Sequence, residues 1–153
     1  MLVLLAPRRY KKALDISSDF GLAIYNLGIV YDREGKLADA IKQLEKIAPY
    51  NTNQAGLMFE LGLLYYRNGQ KDKALDQLQK TVAIAPDYAN ARWYLALIFE
   101  ERKDYDSAIS QLDQILATEA NKGNEIVKTK LDELNKGKAS IPPQKVIDQK
   151  PLQ

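Results

Sequence analysis

The chain contains neither histidine nor cysteine, which restricts the chemistry that its side chains can perform. Histidine is the commonest general base, and histidine and cysteine are the usual ligands of zinc. Among the remaining acids, Glu100 and Glu101 are expected to face solvent. Asp104 and Asp106 fit the acidic start of a helix, because the glycine and the glutamate that a calcium loop requires are missing. We therefore predict no catalytic residue, no metal site and no cofactor.

Three aromatic residues, Tyr25, Phe59 and Trp93, follow one another at an interval of 34 residues. The interval belongs to an internal repeat, since residues 21–54 and 55–88 are identical at nine of 34 positions, against about two or three expected from average composition. The recurring positions are a leucine beside a small residue, an aromatic residue, an alanine and a leucine: Leu27, Gly28, Tyr31, Ala40, Leu44; Leu61, Gly62, Tyr65, Ala74, Leu78; and Leu95, Ala96, Phe99, Ala108, Leu112.

Each unit has the apolar spacing of two helices. The first helices are predicted over about 21–34, 55–68 and 89–102, and the second over about 37–47, 71–84 and 105–118. Gly35 and Gly69 follow the first helices, where a left-handed cap favours glycine. Pro49 comes early in the first unit and predicts a second helix about one turn shorter there.

A 34-residue unit of this kind resembles the tetratricopeptide repeat, whose signature positions are occupied by Leu61, Gly62, Tyr65, Gly69, Ala74, Leu78 and Pro86. The resemblance covers residues 21 to about 120, with Ala96 and Lys103 departing from the pattern. It implies an all-α fold, a right-handed superhelix of antiparallel helix hairpins (an α-solenoid), with units over 21–54, 55–88 and 89–122.

The ends of the chain are expected to close this array. Residues 1–20, with Tyr10 and Ala13, are predicted to form a partial repeat or helix, and 138–153 a disordered tail. Residues 123–137 are predicted to form a capping helix ended by Gly137. Its inward side chains would be Ile126, Val127, Leu131 and Leu134, and its outward ones Lys128, Lys130, Asp132, Glu133 and Lys136.

The resemblance implies that the first helices line a concave groove that binds another protein or a peptide segment. Aromatic and aliphatic side chains there favour an apolar or amphipathic ligand. The chain is therefore predicted to be a non-enzymatic scaffold or adaptor. The predicted groove residues are Leu22, Tyr25, Asn26, Ile29, Phe59, Glu60, Leu63, Tyr66, Asn90, Trp93, Tyr94 and Leu97, with Arg33, Arg67, Glu100 and Glu101 at the rim.

Two ligand classes are disfavoured. One subclass of the family binds the acidic C-terminal peptides of chaperones through a clamp of lysine, arginine and asparagine. The places of that clamp hold Tyr25, Ile29, Glu60, Asn90 and Tyr94, so no clamp is expected. Nucleic acid is not expected either, because 22 basic and 20 acidic residues are mixed along the chain.

Alternatives stay open for the whole protein. Met1–Ala6 is apolar and is followed by Pro7, Arg8 and Arg9, which fits a helix packed on the first unit or the stub of a longer membrane segment. In the second case the chain would be the soluble appendage of a larger bacterial membrane protein, such as a glycan polymerase or O-antigen ligase, with a membrane-tethered parent. Self-association through an exposed helix face is a further possibility. A cytoplasmic location is the default expectation.

Overall fold

The computed structural model describes residues 18–136, with side chains from Phe20 onward. The predicted partial repeat over 1–20, including Tyr10 and Ala13, lies outside the described residues except for its last three, and so do Gly137 and the predicted tail over 138–153. Within the described range the chain is helical and has no strand. The helices are α1 (Ser18–Arg33), α2 (Leu37–Ile47), α3 (Ala55–Arg67), α4 (Lys71–Ile84), α5 (Ala89–Glu101), α6 (Tyr105–Leu116) and α7 (Glu125–Asn135), with a 3₁₀ turn at Ala48–Tyr50.

Each helix packs chiefly against its neighbours in sequence, from α1 on α2 through to α7 on α6. The tightest associations are within the pairs α1–α2, α3–α4 and α5–α6, which are the three predicted hairpins. One apolar core runs through all of them, from Ile24 in α1 to Leu134 in α7. A chain of hairpins that each contact only their neighbours is a solenoid, so the predicted all-α solenoid with a capping helix is confirmed.

The turns inside the hairpins share one backbone conformation. Gly35 and Gly69 have φ of 74° and 77°, and Lys103 has φ of 61° at the equivalent place in the third unit. In the first turn the N–H of Lys36 donates to the carbonyl oxygen of Tyr31 at 2.9 Å, which is the 6→1 bond of a Schellman cap. The turn therefore reverses the chain in three residues and brings the two helices of a unit side by side.

The two helices of a unit approach each other closely at the small residue that recurs every 34 residues, which is Gly28, Gly62 or Ala96. A Cβ atom added to Gly62 would lie 3.0 Å from Cγ of Leu78, and one added to Gly28 would lie 3.2 Å from Cδ2 of Leu44. Such contacts are tighter than ordinary van der Waals separation, so glycine allows the second helix to come this near. Ala96 takes the same position in the third unit and is 1% exposed.

The second helix of the first unit ends early, as Pro49 predicted. α2 stops at Ile47 and the 3₁₀ turn Ala48–Tyr50 follows it, whereas α4 continues to Ile84, which is equivalent to Tyr50. Proline has no N–H to donate to the carbonyl oxygen four residues earlier, and its ring clashes with that carbonyl. The chain then needs the extended loop at 51–54 to reach α3.

The capping helix is rotated relative to the expectation. Val127 and Leu134 are buried as predicted, but Ile126 is 37% exposed and Lys130 is 1% exposed. Val127, Lys130 and Leu134 follow the spacing i, i+3, i+7, which places them on one helix face. The prediction that Ile126 points inward and Lys130 outward is therefore wrong, because it sorted the residues by polarity and not by this spacing.

Candidate functional site

The three aromatic residues of the 34-residue ladder differ in exposure. Tyr25 in α1 is partly exposed, whereas Phe59 is 7% and Trp93 2% exposed. The ring of Phe59 packs against Tyr88 with centroids 4.9 Å apart, and against Tyr94 at 6.2 Å. Helices α3 and α5 have packed neighbours on both sides, which covers these two rings. The ligand surface expected of the ladder is thus reduced to Tyr25.

The other predicted groove residues also differ in exposure from one unit to the next. Five of them, Phe59, Tyr66, Trp93, Tyr94 and Leu97, are buried in the core. The other seven keep solvent-accessible surface, and we refer to them together as the groove face: Leu22, Tyr25, Asn26, Ile29, Glu60, Leu63 and Asn90. Most of this face belongs to the first two units, so a ligand of the groove would be held at that end of the described array.

A cavity of about 520 Å³ opens beside Tyr25. Its walls are apolar side chains of three elements, with two amide side chains at its edge and glycines where the helices begin: Gly21, Leu22, Tyr25, Ile47, Asn51, Gln54, Gly56 and Leu57. Asn51 donates from Nδ2 to the carbonyl oxygen of Ile47 at 2.8 Å, and its Oδ1 accepts from Gln54 at 2.9 Å. These bonds fix the loop that forms one side of the cavity.

The cavity follows from the sequence of the first unit. Because Pro49 ends α2 early, Ile47 is the last α-helical residue, and the chain turns away at the point where α4 has another turn. Gly56 in the first turn of α3 adds space, since a Cβ atom placed on it would meet nothing within 4 Å. The sequence prediction named Leu22 and Tyr25 but missed Ile47, Gly56 and the loop residues. The early proline and the polar loop after it were the available signals.

Polar contacts tie the first helices of neighbouring units together. Nη1 of Arg67 lies 2.5 Å from Oδ1 of Asp32, which joins α3 to α1. The Tyr66 hydroxyl donates to Oε1 of Glu101 at 3.1 Å, and Nζ of Lys71 lies 3.0 Å from the same oxygen. The predicted rim residues Arg67 and Glu101 therefore serve contacts within the chain.

The other two predicted rim residues, Arg33 and Glu100, differ in exposure. Arg33 is exposed at the end of α1. Glu100 is not at the surface as expected, because its carboxylate pairs with the buried Lys130 of α7 at 2.6 Å. Its side chain is 10% exposed, so Glu100 is a contact of the capping helix and not of the groove.

Glu60 is the ionisable residue at the centre of the groove face. Partial burial, followed by the negative charge of Asp32, raises the pKa of Glu60, and the positive charge of Arg67 opposes this. The charge of Glu60 in turn contributes to the raised pKa of Tyr25 and of Tyr88, in both of which burial is the larger cause. Burial also raises the pKa of Tyr94 to about 12, with Glu60 adding to the effect.

Two features are absent from the described residues. Among residues 18–136, no three acidic side chains are grouped so that they could hold a metal ion. In the same part of the chain, no helix is long and apolar enough to cross a membrane.

Comparison with known proteins agrees with the fold. Residues 59–124 match the family model described as tetratricopeptide repeat. No curated protein matches the chain. A crystal structure of MamA is 26% identical, with a TM-score of 0.72, over 85% of this chain and 75% of that one. The Yersinia enterocolitica type III secretion chaperone SycD, in complex with a peptide of the translocator YopD, is 20% identical with a TM-score of 0.73, over 80% and 97%. The first tetratricopeptide domain of Spaghetti (RPAP3), bound to an HSP90 peptide, is 18% identical with a TM-score of 0.70, over 79% and 94%.

These observations define the class first: an all-helical solenoid of hairpin repeats with a cap. The 34-residue period, the glycine turns and the family match over residues 59–124 then identify these hairpins as tetratricopeptide repeats.

Proposed function

We propose that this protein is an interaction scaffold that binds an apolar or amphipathic segment of another polypeptide on its groove face. The cavity beside Tyr25 carries the proposal. At about 520 Å³ it falls within the range of about 300–1,000 Å³ that is usual for ligand pockets. Its apolar walls from Leu22, Ile47 and Leu57, edged by amides, have the composition that accepts an apolar side chain of a ligand.

The surface around the cavity extends this proposal from one side chain to a segment. Leu22 is 58% exposed at the mouth of the cavity. Ile29 and Leu63 are partly exposed on the first helices of units one and two, and the exposed Asn26 on α1 offers a polar contact. An apolar strip with few polar groups suits a ligand that presents one apolar face, such as an amphipathic helix.

Similar solved structures support a peptide ligand in general terms. SycD is in complex with a translocator peptide in its structure, and the RPAP3 domain is bound to an HSP90 peptide. Their identities to this chain are 20% and 18%, so they share its fold, and the ligand of this chain has to be inferred from its own residues. An acidic chaperone tail is disfavoured, because Glu60 and Tyr94 stand where the clamp of the family places asparagine and arginine, which bind carboxylates.

The test is to fill the cavity without disturbing the fold. Gly56→Leu adds a side chain at the second residue of α3, where a Cβ atom meets nothing within 4 Å. Leucine also favours helix over glycine by about 1 kcal/mol, so this variant should fold at least as well as the wild type. Ala38→Leu is the matched control, because Ala38 is the exposed second residue of α2 and does not line the cavity.

The measurement is binding of peptides selected from a random library displayed on phage. We expect peptides with apolar residues to be enriched on the wild type and on Ala38→Leu, and to lose at least tenfold in affinity on Gly56→Leu. Burial of one apolar side chain contributes about 1.5–3 kcal/mol, which corresponds to a loss of this size. Peptides that bind Gly56→Leu as tightly as the wild type would refute the proposal.

A further inference from the structure

A second cavity, of about 440 Å³, opens between the start of α5 and the end of α6. It shares no lining residue with the groove face or with the cavity beside Tyr25. Its volume falls within the range of about 300–1,000 Å³ that is usual for ligand pockets. We call it the Arg92 cavity, and its lining includes Asp87, Arg92, Gln114, Ala117 and Glu119.

The guanidinium group of Arg92 is held in one orientation at this cavity. Arg92 is 8% exposed, its Nε donates to the carbonyl oxygen of Pro86 at 2.7 Å, and its Nη1 donates to Oε1 of Gln111 at 2.8 Å. A guanidinium has five N–H donors, so three of them remain, including both on Nη2. Nη2 makes no hydrogen bond with any residue of the described range, and it is not cut off from solvent. The remaining donors are therefore accessible from the cavity that Arg92 lines.

The positive charge of Arg92 lacks a contacting counter-ion. No carboxylate within residues 18–136 lies at ion-pair distance from its guanidinium. Burial lowers the pKa of Arg92, and the negative charge of Asp87 opposes this. A buried cation without a partner is destabilising, so an anion that enters the cavity would be bound favourably.

The charged side chains around the cavity determine which anion is favoured. Asp87 and Glu119 line it and are exposed, and Glu119 is paired with Nζ of Lys122 at 2.5 Å. The charges of these three side chains and Arg92 sum to zero, so a second negative charge on the ligand gains little attraction. The desolvation cost of an ion rises with the square of its charge, which disfavours a dianion further. A singly charged carboxylate, whose two oxygens match the N–H donors of a guanidinium, fits best.

Gln114 supplies a further donor at the same cavity. Its Nε2 donates to Oγ of Ser110 at 3.4 Å, which is a long hydrogen bond. The amide nitrogen has a second N–H, so Gln114 can donate to a ligand as well.

We infer that the Arg92 cavity is a second ligand site, which binds a singly charged carboxylate through the open N–H donors of Arg92. None of its lining residues is at a place of the family's carboxylate clamp or on the groove face, so its ligand would not compete with that of the groove. The cavity has room for further atoms of the ligand. The carboxylate could therefore belong to a small organic acid or to a polypeptide.

The test is a nuclear magnetic resonance titration of the full chain labelled with nitrogen-15. The hydrogen bond from Nε of Arg92 to Pro86 slows exchange with water, which makes this N–H observable, and Arg92→Lys assigns its resonance. Acetate and sulfate are added separately, with sodium chloride keeping the ionic strength constant. Arg102 is the internal control, because its side chain is 40% exposed and already paired with Asp72.

We expect acetate to shift the Arg92 resonance along a saturating curve, with a Kd on the order of 10 mM for one charge-assisted contact. The Arg102 resonance should stay nearly unchanged. Ala117→Leu fills the cavity from the exposed C-cap position of α6 and should weaken acetate binding about tenfold. Ala120→Leu is the matched control, because Ala120 is exposed and does not line the cavity.

Sulfate tests the selection by charge. It is doubly charged at neutral pH, so we expect it to bind the wild type more weakly than acetate. Asp87→Asn removes one negative charge from the cavity and should strengthen acetate about twofold and sulfate about fourfold, because the repulsion that is lost is twice as large for sulfate.

Two blocked amino acids distinguish the sources of the carboxylate. N-acetylglycine presents the carboxylate of a chain end, and N-acetylaspartate amide presents that of a side chain. Tighter binding of either one than of acetate assigns the ligand to a polypeptide, and binding no tighter than acetate assigns it to a small organic acid.

Three results would overturn the inference. The Arg92 resonance could move no more than that of Arg102, or the titration of Ala117→Leu could match the wild type, and either would show that the cavity binds no carboxylate. Sulfate binding more tightly than acetate would contradict the assignment of a singly charged ligand. None of these results depends on peptide binding at the groove face, so the proposed function is tested separately. Urea unfolding establishes that Ala117→Leu and Asp87→Asn are folded.

Discussion

Nζ of Lys130 in α7 lies 2.6 Å from Oε2 of Glu100 in α5, and the two side chains are 1% and 10% exposed. No further hydrogen-bond acceptor contacts Nζ of Lys130 in the described part of the chain. The pair joins two helices that are separated in sequence by α6. Removing two charges from water is costly, so their net contribution depends on each having the other.

We predict that Glu100→Ala lowers the free energy of unfolding by about 3–5 kcal/mol, because it leaves the ammonium of Lys130 buried without its partner. The double variant Glu100→Leu with Lys130→Met should recover to within about 1 kcal/mol of the wild type or exceed it, since apolar side chains of similar volume need no ion pair. Urea unfolding followed by circular dichroism measures both. A loss below 1 kcal/mol for Glu100→Ala would show that the pair does not hold α7 in place.

A second prediction concerns the turn of the third unit. Lys103 adopts φ of 61°, a left-handed conformation that costs a residue with a Cβ about 1–2 kcal/mol. Lys103→Gly should therefore raise the free energy of unfolding, by about 0.5–1 kcal/mol after the greater entropy of glycine in the unfolded chain is subtracted.

Gly69→Ala is the reverse experiment on the same turn one unit earlier. Gly69 has φ of 77°, and a Cβ atom on it would meet nothing within 4 Å, so the effect would be that of backbone conformation alone. We expect a loss of about 1 kcal/mol in thermal or urea unfolding. If both substitutions left stability unchanged, the left-handed turn would not be strained.

The third prediction compares equivalent leucines in the first two units. Leu61 in α3 is 2% exposed, whereas Leu27 in α1 is 41% exposed. Helix α3 packs against α2, the second helix of the preceding unit, as well as against α4. Leu61→Ala should lower the free energy of unfolding by about 2–5 kcal/mol, and Leu27→Ala by less than about 1 kcal/mol.

An equal loss at the two positions would mean that something outside the described residues covers α1. The same comparison can be made at Val30, which is 47% exposed, and its equivalent Leu64, which is 2% exposed.

Static light scattering at several concentrations distinguishes the two segments that could cover α1, residues 1–20 of the same chain or a second copy of the chain. A monomer would favour the predicted partial repeat of residues 1–20, and a dimer would favour self-association through α1.

Local chemistry explains why the sequence predicted the helices well. Gly35, Gly69 and Pro49 act on their own backbone, through the left-handed conformation or the missing N–H, so their effect can be read without knowing any neighbour. The first helices of the second and third units accordingly begin at the predicted residues and end one residue early. The helix α1 is already present at Ser18, the first described residue, which lies before the predicted start at residue 21.

The candidate site depended on neighbours and was harder to predict. Phe59 and Tyr25 occupy equivalent positions and differ in exposure because α3 is packed on both sides. Lys130 shares a helix face with Val127, but its charge argued against burial, and only its contact with Glu100 in another unit explains it. Tyr88, a loop residue, packs on the ring of Phe59 in the first helix of its unit, with centroids 4.9 Å apart. Such relationships join residues distant in sequence, which a single repeat pattern does not encode.

The last prediction concerns the effect of Glu60 on the free energy of unfolding, which follows from the raised pKa of its carboxyl group. Because burial and Asp32 raise the pKa of Glu60 in the folded chain above its ordinary value of 4.5, the ionised carboxylate destabilises the folded state at neutral pH. Glutamine does not ionise. Glu60→Gln should therefore raise the free energy of unfolding at pH 7, a gain typical of replacing a residue retained for binding.

The pH dependence of that gain has a definite sign. As the pH falls through the raised pKa, Glu60 of the folded wild type takes up a proton and its penalty diminishes. Below 4.5 the group is protonated in both states, so the difference between Glu60→Gln and the wild type should vanish. Urea unfolding from pH 8 to pH 4 measures it, with Glu119→Gln as the control because the side chain of Glu119 is 87% exposed. A gain that persists unchanged to pH 4 would have another cause, such as amide hydrogen bonding, and would contradict the prediction.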